Sequence, residues 1–153
     1  MSPLFKKLNY KDQAAIVVLN APEELWHDFQ QTATNAVLKN DLSSIEEISF
    51  ALVFVTQESE IVDFVNKSSS SLSNDTTLWM CYPKKSSKKY KSGINRDSGW
   101  EAMGQLGMEP VRQVAIDEDW SALRFRFVDN IKSLTRRKSM TLTDKAKNRT
   151  TGK

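Results

Sequence analysis

Three continuous apolar runs decide what this chain can fold into. Ala14-Ala15-Ile16-Val17-Val18-Leu19, Phe50-Ala51-Leu52-Val53-Phe54-Val55 and Leu78-Trp79-Met80-Cys81-Tyr82 carry no polar residue at alternate positions. A strand with one wet face alternates, whereas a strand covered on both faces does not. The runs therefore predict three interior strands that need helices above and below. The intervening segments supply them. Asn20-Ala21-Pro22-Glu23-Glu24 reads as a turn into a helix, with Pro22 at its first position and two glutamates at the positive end of its dipole. Leu25, Trp26 and Phe29 form the apolar side of that helix, which extends to about Gln31. A weak strand near Asn35 to Lys39 and a short helix precede the second run. After Thr56 a further helix presents Ile61, Val62 and Val65 and frays into the serines 68–71.

The second half follows the same logic. Pro83 stops the third strand. Ser98-Gly99-Trp100-Glu101 has the spacing of a capping box, opening a short helix that a left-handed Gly107 ends. Val111 to Ile116 and Ser121 to Val128 flank the turn Asp117-Glu118-Asp119-Trp120, and alternation places Leu123, Phe125 and Phe127 opposite Arg124 and Arg126. The order predicts an α/β fold: a mainly parallel, Rossmann-like three-layer sheet with a C-terminal antiparallel hairpin. Residues 1–130 form one α/β domain. In residues 131–153 Lys, Arg and Thr displace large apolar side chains, the composition of a disordered basic tail.

Charge is segregated. Of 22 Lys and Arg, eight lie in residues 131–153 beside one acid, Asp144, and six lie in residues 84–96 beside none. The rest of the chain is acidic, so the net charge of +3 misdescribes the body. No apolar run reaches the ~20 residues of a membrane span, and residues 1–12 lack the apolar core of a secretory signal. The lone Cys81 excludes an intramolecular disulfide. These features predict a cytoplasmic protein with no membrane partner.

Three segments carry a resemblance: Leu19-Asn20-Ala21-Pro22-Glu23, Tyr82-Pro83-Lys84-Lys85-Ser86-Ser87, and Ala115-Ile116-Asp117-Glu118-Asp119-Trp120-Ser121-Ala122-Leu123-Arg124-Phe125. Together they resemble a family of small bacterial α/β domains of unknown function, which implies a fold and no activity. The element order is also similar to the later part of the methyltransferase Rossmann fold, closing hairpin included. Such enzymes use a Gly-rich turn after the first strand to approach S-adenosylmethionine. Here that turn has no glycine, Pro22 lacks an amide donor, and no evident acid ends the second strand to hold a ribose. The resemblance thus implies the sheet without the cofactor motif.

The candidate site is the edge where parallel strands end. Asn20, Thr56 and Lys84 fall just past three strands. Lys84, Lys85, Lys88 and Lys89 offer ammonium groups, Ser86 and Ser87 hydroxyls, Tyr90 a stacking face, and Ser98 a helix start that favours an anion. The expected occupant is anionic, either a phosphate-bearing small molecule or an acidic protein surface, held by a binding module with no complete catalytic motif. The plain alternative is a solvated lysine loop. Two other classes remain open: a diverged methyltransferase-like transferase, and a nucleic-acid accessory protein using its basic tail. No cofactor or metal is specified. The acidic turn 117–119 offers paired carboxylates for a magnesium ion or for acid–base work, and salt bridging to the basic loop is equally open to it. Runs of this kind are mostly solvated or cap local amides, and Trp120 reads as a packing anchor. His27 reads as a surface residue, Cys81 as a small apolar residue in a strand, and Arg124 and Arg126 as the wet side of theirs.

Overall fold

The computed structural model describes residues 3–11, 13–32, 36–42, 45–94 and 98–128. A short helix α1 (Pro3–Lys7) leads to strand β1 (Ala15–Leu19), helix α2 (Glu23–Thr32) and strand β2 (Val37–Lys39). Strand β3 (Phe50–Phe54), helix α3 (Glu58–Ser68) and strand β4 (Thr77–Pro83) follow, then helix α4 (Glu101–Gln105) and strands β5 (Met108–Ala115) and β6 (Trp120–Phe127). The six strands form one sheet in the order β2-β1-β3-β4-β6-β5. β2, β1, β3 and β4 pair parallel, and β6 joins β4 and β5 antiparallel. This is the expected mostly parallel sheet with its terminal hairpin. The expected tail, residues 131–153, and Arg96 of the basic loop lie outside the described residues.

Every residue of β3 and β4 is buried. Their side chains alternate between two cores. Ala51, Val53, Leu78, Met80 and Tyr82 face α3 and α4, meeting Ile61, Phe64, Trp100 and Met103. Phe50, Leu52, Phe54, Trp79 and Cys81 face the other way, onto Phe5 and Leu8 of the N-terminal segment and Phe29 of α2. Helix α1 has no counterpart among the sequence expectations. Five residues show no helical periodicity. Its place is secured from afar, where the buried indole Nε1 of Trp79 donates to the carbonyl of Leu8 at 2.8 Å.

Several local expectations are corrected. The described residues between β2 and β3 hold no helix. Helix α2 begins at Glu23, and the amide of Trp26 bonds to the carbonyl of Pro22 at 2.9 Å, so Pro22 caps the helix rather than opening it. In α3 the buried positions are Ile61, Phe64 and Ser68, while Val62 is 42% exposed. Strand β6 lies inside the sheet, and Trp120 to Leu123 are buried on both of its faces. The expected capping box at Ser98 is absent: α4 starts at Glu101 with Trp100 at its cap and no side-chain cap bond. Gly99, at φ 97°, turns the chain so that buried Trp100 enters the helix instead. Gly107, at φ 85°, ends α4 as expected.

Replacing Trp79 by Phe removes the donor to Leu8 and leaves a buried carbonyl without it. Urea denaturation is expected to show a loss of about 1–3 kcal/mol. A loss near zero would mean that the tether to the N-terminal segment carries no stability.

Candidate functional site

Neighbouring strands β1, β3 and β4 run parallel, so the residues that follow them gather along one edge. Asn20 ends β1 in the left-handed region, φ 60°, a conformation that asparagine tolerates better than most residues. Thr56 follows β3 and Lys84 follows β4. The basic segment after Lys84 crosses this edge as a strap with several fastenings. At its start the amide of Lys84 donates to the carbonyl of Asp119 at 2.8 Å, and the hydroxyl of Ser87 donates to Asp119 Oδ1 at 2.8 Å. The same hydroxyl accepts the amide of Tyr90 at 3.1 Å. The Tyr90 ring packs on Trp120, centroids 4.9 Å apart, and Trp120 stands edge-on to Phe54 in the core.

The far side of the strap is tied to β3 and α2. The amide of Gly93 donates to the carbonyl of Thr56 at 2.9 Å, and Ser92 Oγ reaches the same oxygen at 3.3 Å. A side chain at Gly93 would meet Gln57 Oε1 at 2.7 Å, so the exposed Gln57 side chain would have to move aside for it. Thr56 itself is held by Glu60, whose Oε1 accepts its amide at 2.8 Å and its hydroxyl at 2.9 Å. Lys89 Nζ reaches Glu24 Oε1, at the start of α2, at 2.5 Å. The hydrogen bond from Lys89 holds the Glu24 carboxyl below its ordinary range, and the same bond raises Lys89. That tie is intact above the ordinary carboxylate pKa and is released as pH falls through the lowered folded value. Both groups are exposed, so the pair adds little to global stability.

Between the strap and the hairpin lies a cleft of about 850 Å³. Tyr82 and Pro83 of β4 form one side, Gln113 of β5 and Ser121 of β6 another, and the strap supplies Lys84, Lys85, Ser87, Tyr90, Lys91, Ser92 and Ile94. Three lysines and no carboxylate line it. Gln113 Nε2 donates to the Tyr82 hydroxyl at 2.7 Å, which orients both groups.

The structure thus separates the residues that the sequence grouped together. Lys84, Lys85 and Ser87 line the cleft, whereas Asn20, Thr56, Ser86, Lys88, Lys89 and Ser98 do not. Lys89 is spent on Glu24, Thr56 serves as a fastening, and Ser98 is exposed and precedes α4 without capping it. Tyr90 packs on Trp120 while also lining the cleft. Lys91 belongs to the basic run that marked this edge, whereas Gln113 and Ser121 escaped the sequence reading. Nothing local marks those two, because only pairing of β4 with β6 brings the hairpin beside the strap. In the acidic turn, Asp117 Oδ1 accepts the amides of Asp119 and Trp120, both at 2.8 Å, so it caps local amides. Cys81 is wholly buried, and burial pushes its thiol far above the usual range.

Two outcomes follow. Ser87→Ala removes both fastenings made by that hydroxyl, and trypsin is expected to cut after the strap lysines about fivefold faster, the factor for ~1 kcal/mol of local stability. An unchanged rate would show that the strap is held without Ser87. The Cys81 thiol is expected to leave a disulfide reagent unreacted at pH 8 until denaturant is added; rapid labelling of the native protein would contradict its burial.

No known family profile and no curated protein matches the chain. Solved structures do. A Sulfolobus solfataricus protein classed with the type 11 methyltransferases aligns with TM-score 0.53 and 7% identity, covering 88% of this chain and 96% of its own. The B. subtilis tRNA methyltransferase TrmK aligns with TM-score 0.50 and 10% identity, covering 94% of this chain and 74% of its own. At such identities the likeness establishes the fold alone: this chain has a methyltransferase-like α/β fold, with a hairpin that closes the sheet.

Proposed function

We propose that this chain is a binding domain built on a methyltransferase-type sheet, and that its cleft holds an anionic, phosphate-bearing small molecule. The observation that carries this reading is the lining: Lys84, Lys85 and Lys91 with no carboxylate among them. Ammonium groups on flexible stems act as point charges for phosphate. Tyr82, Gln113 and Ser121 add polar groups on rigid strands, where position is better kept than on a loop. The volume falls within the ~300–1,000 Å³ of small-molecule pockets. Concavity favours a small ligand over the acidic protein surface that the charge pattern alone would equally admit.

A second reading, a diverged transferase, is favoured by the shared fold. In open α/β sheets a cofactor sits where the strand order reverses, here between the ends of β1 and β3. The residues there do not fit S-adenosylmethionine held in the manner that the resemblance implies. The turn has Asn20, Ala21 and Pro22 in place of glycines, two glutamates open α2, and Lys89 of the strap is tied to the second of them. A transferase on this sheet would have to hold its donor by other means.

Calorimetric titration separates the readings, with ADP, inorganic phosphate, S-adenosylmethionine and S-adenosylhomocysteine as probes. ADP is expected to bind at one site, and Lys84→Gln with Lys85→Gln is expected to weaken it at least ~10-fold, equivalent to ~1.4 kcal/mol. Binding of S-adenosylmethionine that survives the lysine substitutions would favour the transferase. No binding of either phosphate probe would overturn the leading reading.

A further inference from the structure

The opposite face of the terminal hairpin carries a second concentration of positive charge. Arg112 of β5 and Arg124 of β6 are direct partners in register. Arg126 lies two residues beyond Arg124, on the same side of the strand, about 6–7 Å along it. This is the face of Trp79 and α1, whereas Gln113, Leu123 and Phe125 point to the other side with the cleft. Like charges placed directly opposite in a sheet repel, so such a pair is retained at a cost. Among the described residues neither salt bridge involves these arginines. Glu109, opposite Arg126 in register, is wholly buried.

Arg124 shows the cost most clearly. Its guanidinium lies over the Trp79 ring, 6.0 Å from the centroid. Its Nε is shut off from water and has no hydrogen-bond partner. Desolvation, reinforced by Arg126 and Arg112, holds the group below the ordinary guanidinium range. An anion arriving from outside does not reach that sealed Nε; it offsets the like charge that the three guanidinium groups bring together on this face. The composition adds to the positive charge of the chain's end: residues 131–153 hold eight further Lys and Arg against one acid.

We infer that Arg112, Arg124 and Arg126 form a binding face for the phosphate backbone of a nucleic acid. Arginine pairs with phosphate through its planar fork of donors, and the spacing along β6 is comparable to that of neighbouring phosphates on an extended strand. Contacts of this kind position a strand without reading its bases, so RNA and DNA of mixed sequence should both bind. The face is independent of the cleft, and either assignment can fail alone.

The test is fluorescence anisotropy of the full-length protein with 20-nucleotide RNA and DNA across a range of salt. Three single-charge variants are compared: Arg112→Gln, Arg126→Gln and, on α3, Lys67→Gln. The wild-type protein is expected to bind both oligonucleotides at low salt. Each arginine variant should flatten the log–log salt slope by about 0.7–0.9, the value for one lost phosphate contact, and Lys67→Gln should leave it unchanged. Thermal melting of the arginine variants should be unchanged or higher, because repulsion is relieved; a packing role would lower it. The inference is overturned if neither oligonucleotide binds, if the slope is the same in the arginine variants, if Lys67→Gln flattens it equally, or if polyglutamate competes as well as the oligonucleotides do.

Discussion

Burial of β3 and β4 on both faces is the constraint on which the rest depends. Neither strand has a position that tolerates water, so each face requires a helical layer. Phe50, Phe54 and Trp79 on one side and Val53, Met80 and Tyr82 on the other leave no room for a polar substitute. Parallel pairing then follows from the crossover helices, and with it the gathering of chain reversals at one edge. The cleft is a by-product of that geometry. It forms where the last parallel strand gives way to an antiparallel hairpin, so that a strand end, a loop and a hairpin meet.

The basic segment after β4 owes its position to hydrogen bonds more than to charge. Asp119 takes a backbone amide and a serine hydroxyl, the Thr56 carbonyl takes Gly93 and Ser92, and Tyr90 is anchored on Trp120. These ties leave some lysines facing the cleft and spend another on Glu24. The fastenings also place the strap over the ends of β3 and β4 and tie it to the start of α2. That is why a methyltransferase-like sheet here presents a lysine-lined cleft beside β4 and a tied turn after β1. Fold and site have separated in this chain: the layers are shared with enzymes, while the edge is furnished differently.

Much of the architecture was legible in the residues. Uninterrupted Val, Ile, Leu and Phe runs announce interior strands because a two-faced strand has no polar alternation to lose. Less was legible where one element's state depends on another. Helix α1 is too short to show a period and is stabilised by Trp79, some seventy positions away. Val62 faces water and Phe64 is buried because the facing strands decide which side of α3 is inside. Ser98 has the right spacing for a cap, yet the burial of Trp100 overrides it. The candidate edge was visible as a run of lysines, Lys91 included, but Gln113 and Ser121 became its partners only through strand pairing.

The sequence by itself determined the layers, the parallel pairing of the interior strands and the segregation of charge, since each rests on local pattern: burial on two faces, crossover length and composition. The tertiary structure alone decided which lysines are spent on acids and which face a cleft. It also set three arginines side by side across the hairpin. The reason is physical. Charge and hydrogen-bonding capacity are properties of a residue, whereas a site is a property of distances, and those distances arise only when β6 inserts between β4 and β5.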